Sequence, residues 1–295
     1  MKAVAFTEFG GPEVLRVLDL PAPHAGPGQV RVRVKAAGVQ PYDAAVRGGW
    51  EPPGLALTWP RVPGNEFAGV VDEGDLEPGT EVLGFTAVQA AAEYVVVPAG
   101  DVTPKPPEMP WEVAGGFTAG TQTASIALEA LRLREGETLL VHGAAGAVGT
   151  AAVQLARLRG ATVVGTASPA NQDYLRQLGA TPVVYLEGLK DRVAPLGIDV
   201  VLDGAGGVAL DVSLELVKDR SRILTLVDHH RAAGLGVLVS KSGRSAARLA
   251  ALAALYAKGD LRFPVRRAYS YTEAVAAHRE IETGHGRGKI VLTFP

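Results

Sequence analysis

The 295-residue chain contains no cysteine. That absence excludes disulfides, a thiol nucleophile and every zinc site built on thiolates. An excess of one charge is also missing. With 29 Lys and Arg against 31 Asp and Glu, the formal charge is −2 and the pI about 6.3. Such a balance carries no electrostatic footprint for nucleic acid or for an anionic membrane, so neither is expected as a partner. Disorder is excluded by a hydrophobic content of 47% with 20% charged residues. The length suits one large or two ordinary domains with sizeable cores. The first twenty residues interleave Lys2, Glu8, Glu13, Arg16 and Asp19 with apolar positions, which leaves no signal-peptide core. Residues 138–156 lack formal charges and reach the length of a membrane span, but their three glycines at a strand-to-helix turn argue against one. A soluble cytoplasmic protein is the expectation.

What is present centres on residues 138–165, TLLVHGAAGAVGTAAVQLARLRGATVVG. Thr138 to His142 is a β-branched and leucine run bounded by Gly143, the pattern of a buried parallel strand. The period then changes. From Ala147 to Arg159, Val148, Ala152, Leu155 and Leu158 fall at helical spacing, and Gly160 stands at the stop; residues 161–167 form a second strand. The result is a βαβ unit. Its first turn, Ala144-Ala145-Gly146-Ala147-Val148-Gly149, is the dinucleotide fingerprint with alanine for the first glycine. Gly146 allows a pyrophosphate close to the backbone at the positive end of a helix, and Gly149 allows close helix–strand packing.

The second strand indicates which dinucleotide binds. Sites for NAD place Asp or Glu near its end, about twenty residues past the glycines. Here residues 166–172, TASPANQ, carry no carboxylate. Ser168, Asn171 and Gln172 offer neutral hydrogen bonds, so the expected cofactor is NADPH.

Elsewhere the chain reads as short strands. Residues 2–6 and 14–18 flank Phe9-Gly10-Gly11-Pro12, a hairpin-like joint, and Gln29 to Ala36 alternates Val30, Val32 and Val34 with Arg31, Arg33 and Lys35, a half-buried antiparallel strand with a solvated basic face. Residues 39–50 crowd Gln40, Tyr42, Asp43, Arg47 and Trp50 together, a mixture suited to a cleft wall. Further strands are expected at 82–85, 92–97, 181–185, 198–203, 222–227 and 236–239, with a connecting helix from Trp111 and another helix over 244–258. Ser270-x-x-Glu273 has capping-box form, Gly284 can stop the helix that follows, and 289–294 is a last strand.

GNEFAGVV, AAEYVVVPA, the Thr123-Ala124 pair, VHGAAGAVG, IDVVLDGAGG and GKIVL occur in that order. The chain thereby resembles the medium-chain dehydrogenase/reductase superfamily, in its zinc-free quinone oxidoreductase branch related to zeta-crystallin. The resemblance implies an α/β fold: a GroES-like, mainly β catalytic domain over 1–113, a Rossmann doubly wound parallel sheet that binds NADPH over 114–261, and a return to the catalytic domain over 262–295. Asn65-Glu66 stands where zinc-using members have His-Glu, so no metal is expected. The branch pattern Asn-Pro-x-Asp-x-Tyr-x-Arg reads Gln40-Pro41-Tyr42-Asp43-Ala44-Ala45-Val46-Arg47, with Asp43 and Arg47 matching and Ala45 in place of tyrosine. Thr123 matches a threonine expected near the nicotinamide. Ser168 and Tyr185 match positions used for the 2′-phosphate ribose, and Gln172 stands where lysine is common.

These readings lead to an NADPH-dependent reductase that transfers hydride to a quinone, with enone reduction as the alternative within enzymes. An NADPH-binding sensor or structural protein with little turnover is the alternative of another class. Hydrogen bonds to the charge developing on the acceptor oxygen are the protein's expected contribution. Tyr42 is the nearby phenol available as an acid. Apolar strands at 223–227 and 235–239 imply a sheet edge paired in a homodimer, with His229, His230 and Arg231 in an exposed turn.

Overall fold

The computed structural model describes residues 1–55, 58–240 and 243–295. Two compact units result. The first comprises Met1–Ala119, Ser245–Gly259 and Phe263–Pro295, and the second comprises Gly120–Arg244 and Asp260–Arg262.

The first unit opens with an antiparallel ribbon of β1 (Lys2–Ala5) and β2 (Arg16–Asp19). Next comes β3 (Gln29–Val39), which is longer than its alternating stretch. Val30, Val32 and Val34 are wholly buried, as the period of two requires. On the other face Arg33 is exposed, while Arg31 pairs with Asp72 at 3.0 Å and stacks over the Tyr94 ring. α1 (Pro41–Arg47) starts with proline in its first turn, where the missing N–H costs nothing. β4 (Glu66–Gly74), β5 (Glu81–Phe85), β6 (Tyr94–Pro98) and β7 (Val102–Pro104) precede α2 (Trp111–Ala130). The unit boundary falls inside α2 at Ala119, later than the expected 113. Two glycines explain why the front of α2 stays with the first unit. A Cβ at Gly115 would lie 2.5 Å from the Ala36 Cβ, and one at Gly116 2.6 Å from the Lys289 Cγ.

The second unit runs β8 (Thr138–His142), α3 (Ala147–Leu158), β9 (Thr162–Ala167), α4 (Gln172–Gln177), β10 (Thr181–Val184), α5 (Leu189–Val193), β11 (Val200–Asp203), α6 (Val208–Leu216), β12 (Ile223–Thr225), α7 (His229–Leu235) and β13 (Leu238–Val239). All pairings are parallel, in the order β10-β9-β8-β11-β12-β13. Numbered along the chain, these strands stand 3-2-1-4-5-6, the doubly wound arrangement whose direction reverses between β8 and β11. Leu140, Val164, Val201, Leu210 and Ile223 form its core. The expected turn at His229–Arg231 is instead the start of α7. The Asp228 carbonyl accepts the Ala232 N–H at 3.2 Å, the Asp228 carboxylate holds Arg231 at 3.0 Å, and Gly236 at φ +70° ends the helix. The edge strand β13 is only two residues long, and β12 is paired on both sides. Val237 is 8% exposed and packs in the core, so a charge there would disturb the fold rather than an edge.

After the second unit, α8 (Ala246–Ala257) is capped by Ser245, whose hydroxyl accepts the Arg248 N–H at 3.2 Å. This helix groups with the first unit, although it lies within the 114–261 span expected for the nucleotide-binding domain. β14 (Val265–Ser270), α9 (Ala274–Glu282) and β15 (Lys289–Thr293) follow. The capping box is formed, with the Ser270 N–H donating to Glu273 at 3.0 Å, and Gly284 at φ +68° follows α9. One sheet orders β14-β15-β3-β4-β5-β7, with β6 also on β3. Antiparallel pairing of Ile290 with Val39 brings Lys289 beside Gln40. Among the described residues no helix is long and apolar enough to cross a membrane.

Candidate active site

The turn between β8 and α3 divides its work among its glycines. Gly143, at φ +69°, makes the left-handed bend, a conformation that costs glycine little. Ala144 therefore does not stand in for a turn glycine. It is fully buried, its N–H donates to the Thr166 carbonyl at 3.0 Å, and its methyl lies where Gly165 leaves room, 2.9 Å from the site of an added Cβ. Gly146 caps α3 at φ −71°, ψ 174°, with no side-chain hydrogen bond to the helix end. A Cβ there would meet only the Gly143 carbonyl oxygen, at 3.4 Å. At Gly149 the situation is the opposite. A Cβ would overlap the Gly143 oxygen and lie 2.6 Å from the Ala144 Cα. Ala145 is buried, whereas Gly146, Ala147 and Val148 are half-exposed. This open backbone stands at the positive end of a twelve-residue helix and beside the switch point, an arrangement that favours an anion.

Behind the turn lies a buried polar layer. His142 is 1% exposed, and its ring nitrogens meet Thr166 Oγ1 at 3.0 Å and Ser213 Oγ at 3.1 Å. Burial pushes its pKa down to about 4, against the pull of Asp203. Asp203 accepts the N–H groups of Ala205 and Gly206 at 2.9 and 2.8 Å and the Thr225 hydroxyl at 2.8 Å, which shapes the loop after β11. That loop, with Val227, Asp228 and Arg231, lines a hollow of about 370 Å³ at the carboxyl ends of β11 and β12. A second hollow, about 430 Å³, is lined by Tyr185, Leu186, Lys190 and Val208.

The segment after β9 is free of carboxylates. Asn171 Nδ2 donates to Ser168 Oγ at 3.2 Å. Gln172 uses its amide to donate to the Ala167 and Ser168 carbonyls at 3.0 and 3.1 Å, so it closes the strand end rather than presenting a donor outward. Val184 pairs with Ala167, which places Tyr185 and Ser168 at equivalent positions one residue beyond. Tyr185 is 42% exposed. Thr123 is half-buried on α2, flanked by the buried Gln122 and Ala124.

In the first unit the expected catalytic group divides. Gln40 and Asp43 come together, with the Gln40 N–H donating to Asp43 Oδ2 at 2.9 Å and the Gly64 N–H to Oδ1 at 3.0 Å. At 1% exposure Asp43 is a clamp between α1 and the Gly64 loop, not a surface that a substrate touches. Burial pushes its carboxyl up to about 7, against the Lys289 charge and both backbone donors. Arg47 turns away from this group. It is 3% exposed and paired with Glu282 on α9; burial lowers its pKa while Glu13 opposes. Tyr42 is half-buried, edge-on to the Trp50 ring at 5.3 Å.

Sequence reasoning missed the rest of this cluster. Gln40 Nε2 donates to Asn65 Oδ1. Lys289 Nζ lies 3.0 Å from Gln40 Oε1 and 2.6 Å from Glu66 Oε1, and Glu66 Oε2 accepts the Ala119 N–H at 2.6 Å. Glu66 and Lys289 are 0% and 3% exposed. The only local signal was a lysine opening a final strand, ahead of the apolar run Ile290-Val291-Leu292.

Two buried histidines set an acid limit. His278, 1% exposed, is held down to about 3 by burial and then by Arg47. His142 and His278 therefore contribute stability that is present above their ordinary pKa of 6.5 and is lost as pH falls toward about 4 and about 3. Asp43 has the opposite sign: its contribution is full below 3.8 and lost as pH rises through about 7. Thermal midpoints measured from pH 7 to pH 4 are expected to fall less steeply in His278→Gln and more steeply in Asp43→Asn. Slopes identical to the wild type in both variants would mean that neither group is perturbed in this way.

The Alcohol dehydrogenase GroES-like domain family model matches residues 26–107, and the Zinc-binding dehydrogenase model matches 178–292. The chain is 35% identical, over 97% of its length, to the Spectinabilin polyketide synthase system protein NorB of Streptomyces orinoci, of which it spans only 14%. It is 30% identical to the Quinone oxidoreductase of Homo sapiens, covering 99% of this chain and 97% of that one. Among solved structures, the quinone oxidoreductase from Coxiella burnetii superposes with a TM-score of 0.91 at 28% identity, covering 100% of this chain and 99% of that one.

Proposed function

The chain belongs to the medium-chain dehydrogenase/reductase superfamily, in its quinone oxidoreductase branch, and from that premise we propose an NADPH-dependent, zinc-independent reductase of quinones. The observation that carries this reading is the open backbone at Gly146, set at the switch point of a 3-2-1-4-5-6 sheet. When bound, the nicotinamide cofactor supplies the hydride. Gly146, Ala147 and Val148 would receive its pyrophosphate, with Gly143, Ala144, Ala145 and Gly149 setting the turn. Ser168 and Tyr185 would flank its ribose, and the carboxylate-free 166–172 segment favours a 2′-phosphate. Thr123 belongs to the same reading, beside the nicotinamide.

Zinc does not fit the donor set. A catalytic zinc takes about three protein ligands. Here cysteine is absent, Asn65 takes the expected histidine position, and Glu66 is engaged by an ammonium and a backbone N–H. Among the described residues no three His, Cys, Asp or Glu gather as metal ligands. The acceptor side of the reaction falls to the amide of Gln40, which can donate to an oxygen as negative charge develops there. The homodimer reading keeps β13 as its contact, since this strand ends the sheet.

Fluorescence titration with NADPH and NADH, followed by NADPH oxidation against a panel of quinones and enones, tests the proposal. Tighter NADPH binding and turnover with quinones are expected. Equal affinities or an NADH preference would overturn the cofactor assignment, and turnover with enones alone would move the substrate to that class. Binding without turnover would identify a sensor or structural protein.

A further inference from the structure

The Glu66–Lys289 pair is buried at 0% and 3% exposure, where desolvation offsets much of its attraction. Apolar residues of similar volume often serve stability equally well in such a place. Yet the backbone around the pair is shaped to admit it. A Cβ at Gly38 on β3 would overlap Glu66 Oε1, and one at Gly116 on α2 would lie 2.6 Å from Lys289 Cγ. The Ala119 N–H also donates to Glu66 Oε2 at 2.6 Å.

The geometry also runs in one direction. An ammonium only donates, so the group facing Lys289 Nζ at 3.0 Å is the Gln40 oxygen, Oε1. That sets the amide. Gln40 Nε2 is then turned to Asn65 Oδ1, which takes one of its two hydrogens. Gln40 itself is half-buried at the start of α1. A positive charge at Oε1 draws electron density from the amide and strengthens its remaining N–H as a donor.

We propose that Lys289 is a positioning residue for reduction: held by Glu66, it orients and polarises the Gln40 amide so that one N–H is presented to the acceptor oxygen. This rests on the reductase reading above. Lys289 acts through Gln40 and does not itself touch the acceptor.

Lys289→Met alone would strand a buried carboxylate, so the main test is the double variant Glu66→Gln/Lys289→Met, which removes both charges at similar volume. Its unfolding midpoint and its NADPH affinity are expected to stay near those of the wild type. With a quinone acceptor, kcat should fall on the order of 100-fold while KM changes little, the scale for losing one aligned donor. Gln40→Met, which leaves the ion pair intact, should lose kcat by the same factor, and adding it to the double variant should cost nothing further. Wild-type kcat in the double variant, wild-type kcat in Gln40→Met, or additive losses would each overturn the proposal. Absence of turnover in the wild-type protein with every quinone and enone would remove the reductase reading, and this inference with it.

Discussion

Valine in place of Gly146 is expected to leave the protein folded and unable to hold its nicotinamide cofactor. The backbone at this position, φ −71°, ψ 174°, is open to any L-residue. An added Cβ meets only the Gly143 carbonyl oxygen at 3.4 Å. Its two methyls would stand instead in the space over the turn, which the proposed function gives to the pyrophosphate. Valine is a poor helix cap, which costs about 1 kcal/mol, or a few degrees of unfolding temperature. Affinity should fall on the order of 100-fold or more, because the backbone N–H groups and helix end no longer reach the anion. Fluorescence titration alongside a thermal melt measures both effects. A folded variant with wild-type affinity would move the cofactor elsewhere.

Gly149→Val should do the reverse and strike the fold itself. A Cβ here overlaps the Gly143 oxygen and lies 2.6 and 2.8 Å from the Ala144 Cα and carbonyl carbon, all backbone atoms that cannot rotate aside. To make room, α3 must move away from β8 and give up packing that buries Ala151, Ala152 and Val153. A loss of about 3 kcal/mol is expected, the upper range for overpacking a tight core. The measurement is urea unfolding followed by circular dichroism without cofactor. A midpoint equal to the wild type's would show that the helix tolerates displacement at this point. Together the two variants separate a glycine that serves the ligand from one that serves the chain.

The difference between these glycines was only partly legible in the sequence. The fingerprint spacing pointed to both, and close packing at Gly149 is what the fold shows, but it assigned the missing first glycine to Ala144. The left-handed bend belongs to Gly143, and Ala144 fills room left by Gly165 on the neighbouring strand. A spacing rule counts residues along the chain and does not sense a methyl from the next strand. The α7 segment shows the same limit. His229, His230 and Arg231 carry no helical apolar pattern, yet Asp228 anchors a helix there through Ala232 and Arg231. Arg47 matched a family position and was placed with the catalytic group, whereas packing on α9 pairs it with Glu282.

By itself the sequence determined the strand–turn–helix–strand unit of residues 138–167, the open turn at its first corner and the carboxylate-free end of its second strand. These are encoded within a dozen neighbouring residues, by side-chain period and by glycine's conformational range, so they are readable without knowing what packs where. Only the tertiary structure decided the buried cluster around Gln40. Lys289 reaches Gln40 across 249 positions of chain because β15 pairs antiparallel with β3, and Glu66 joins them from β4. A buried charge is tolerated only where its partners converge. That convergence is set by sheet order and register, which no local pattern records.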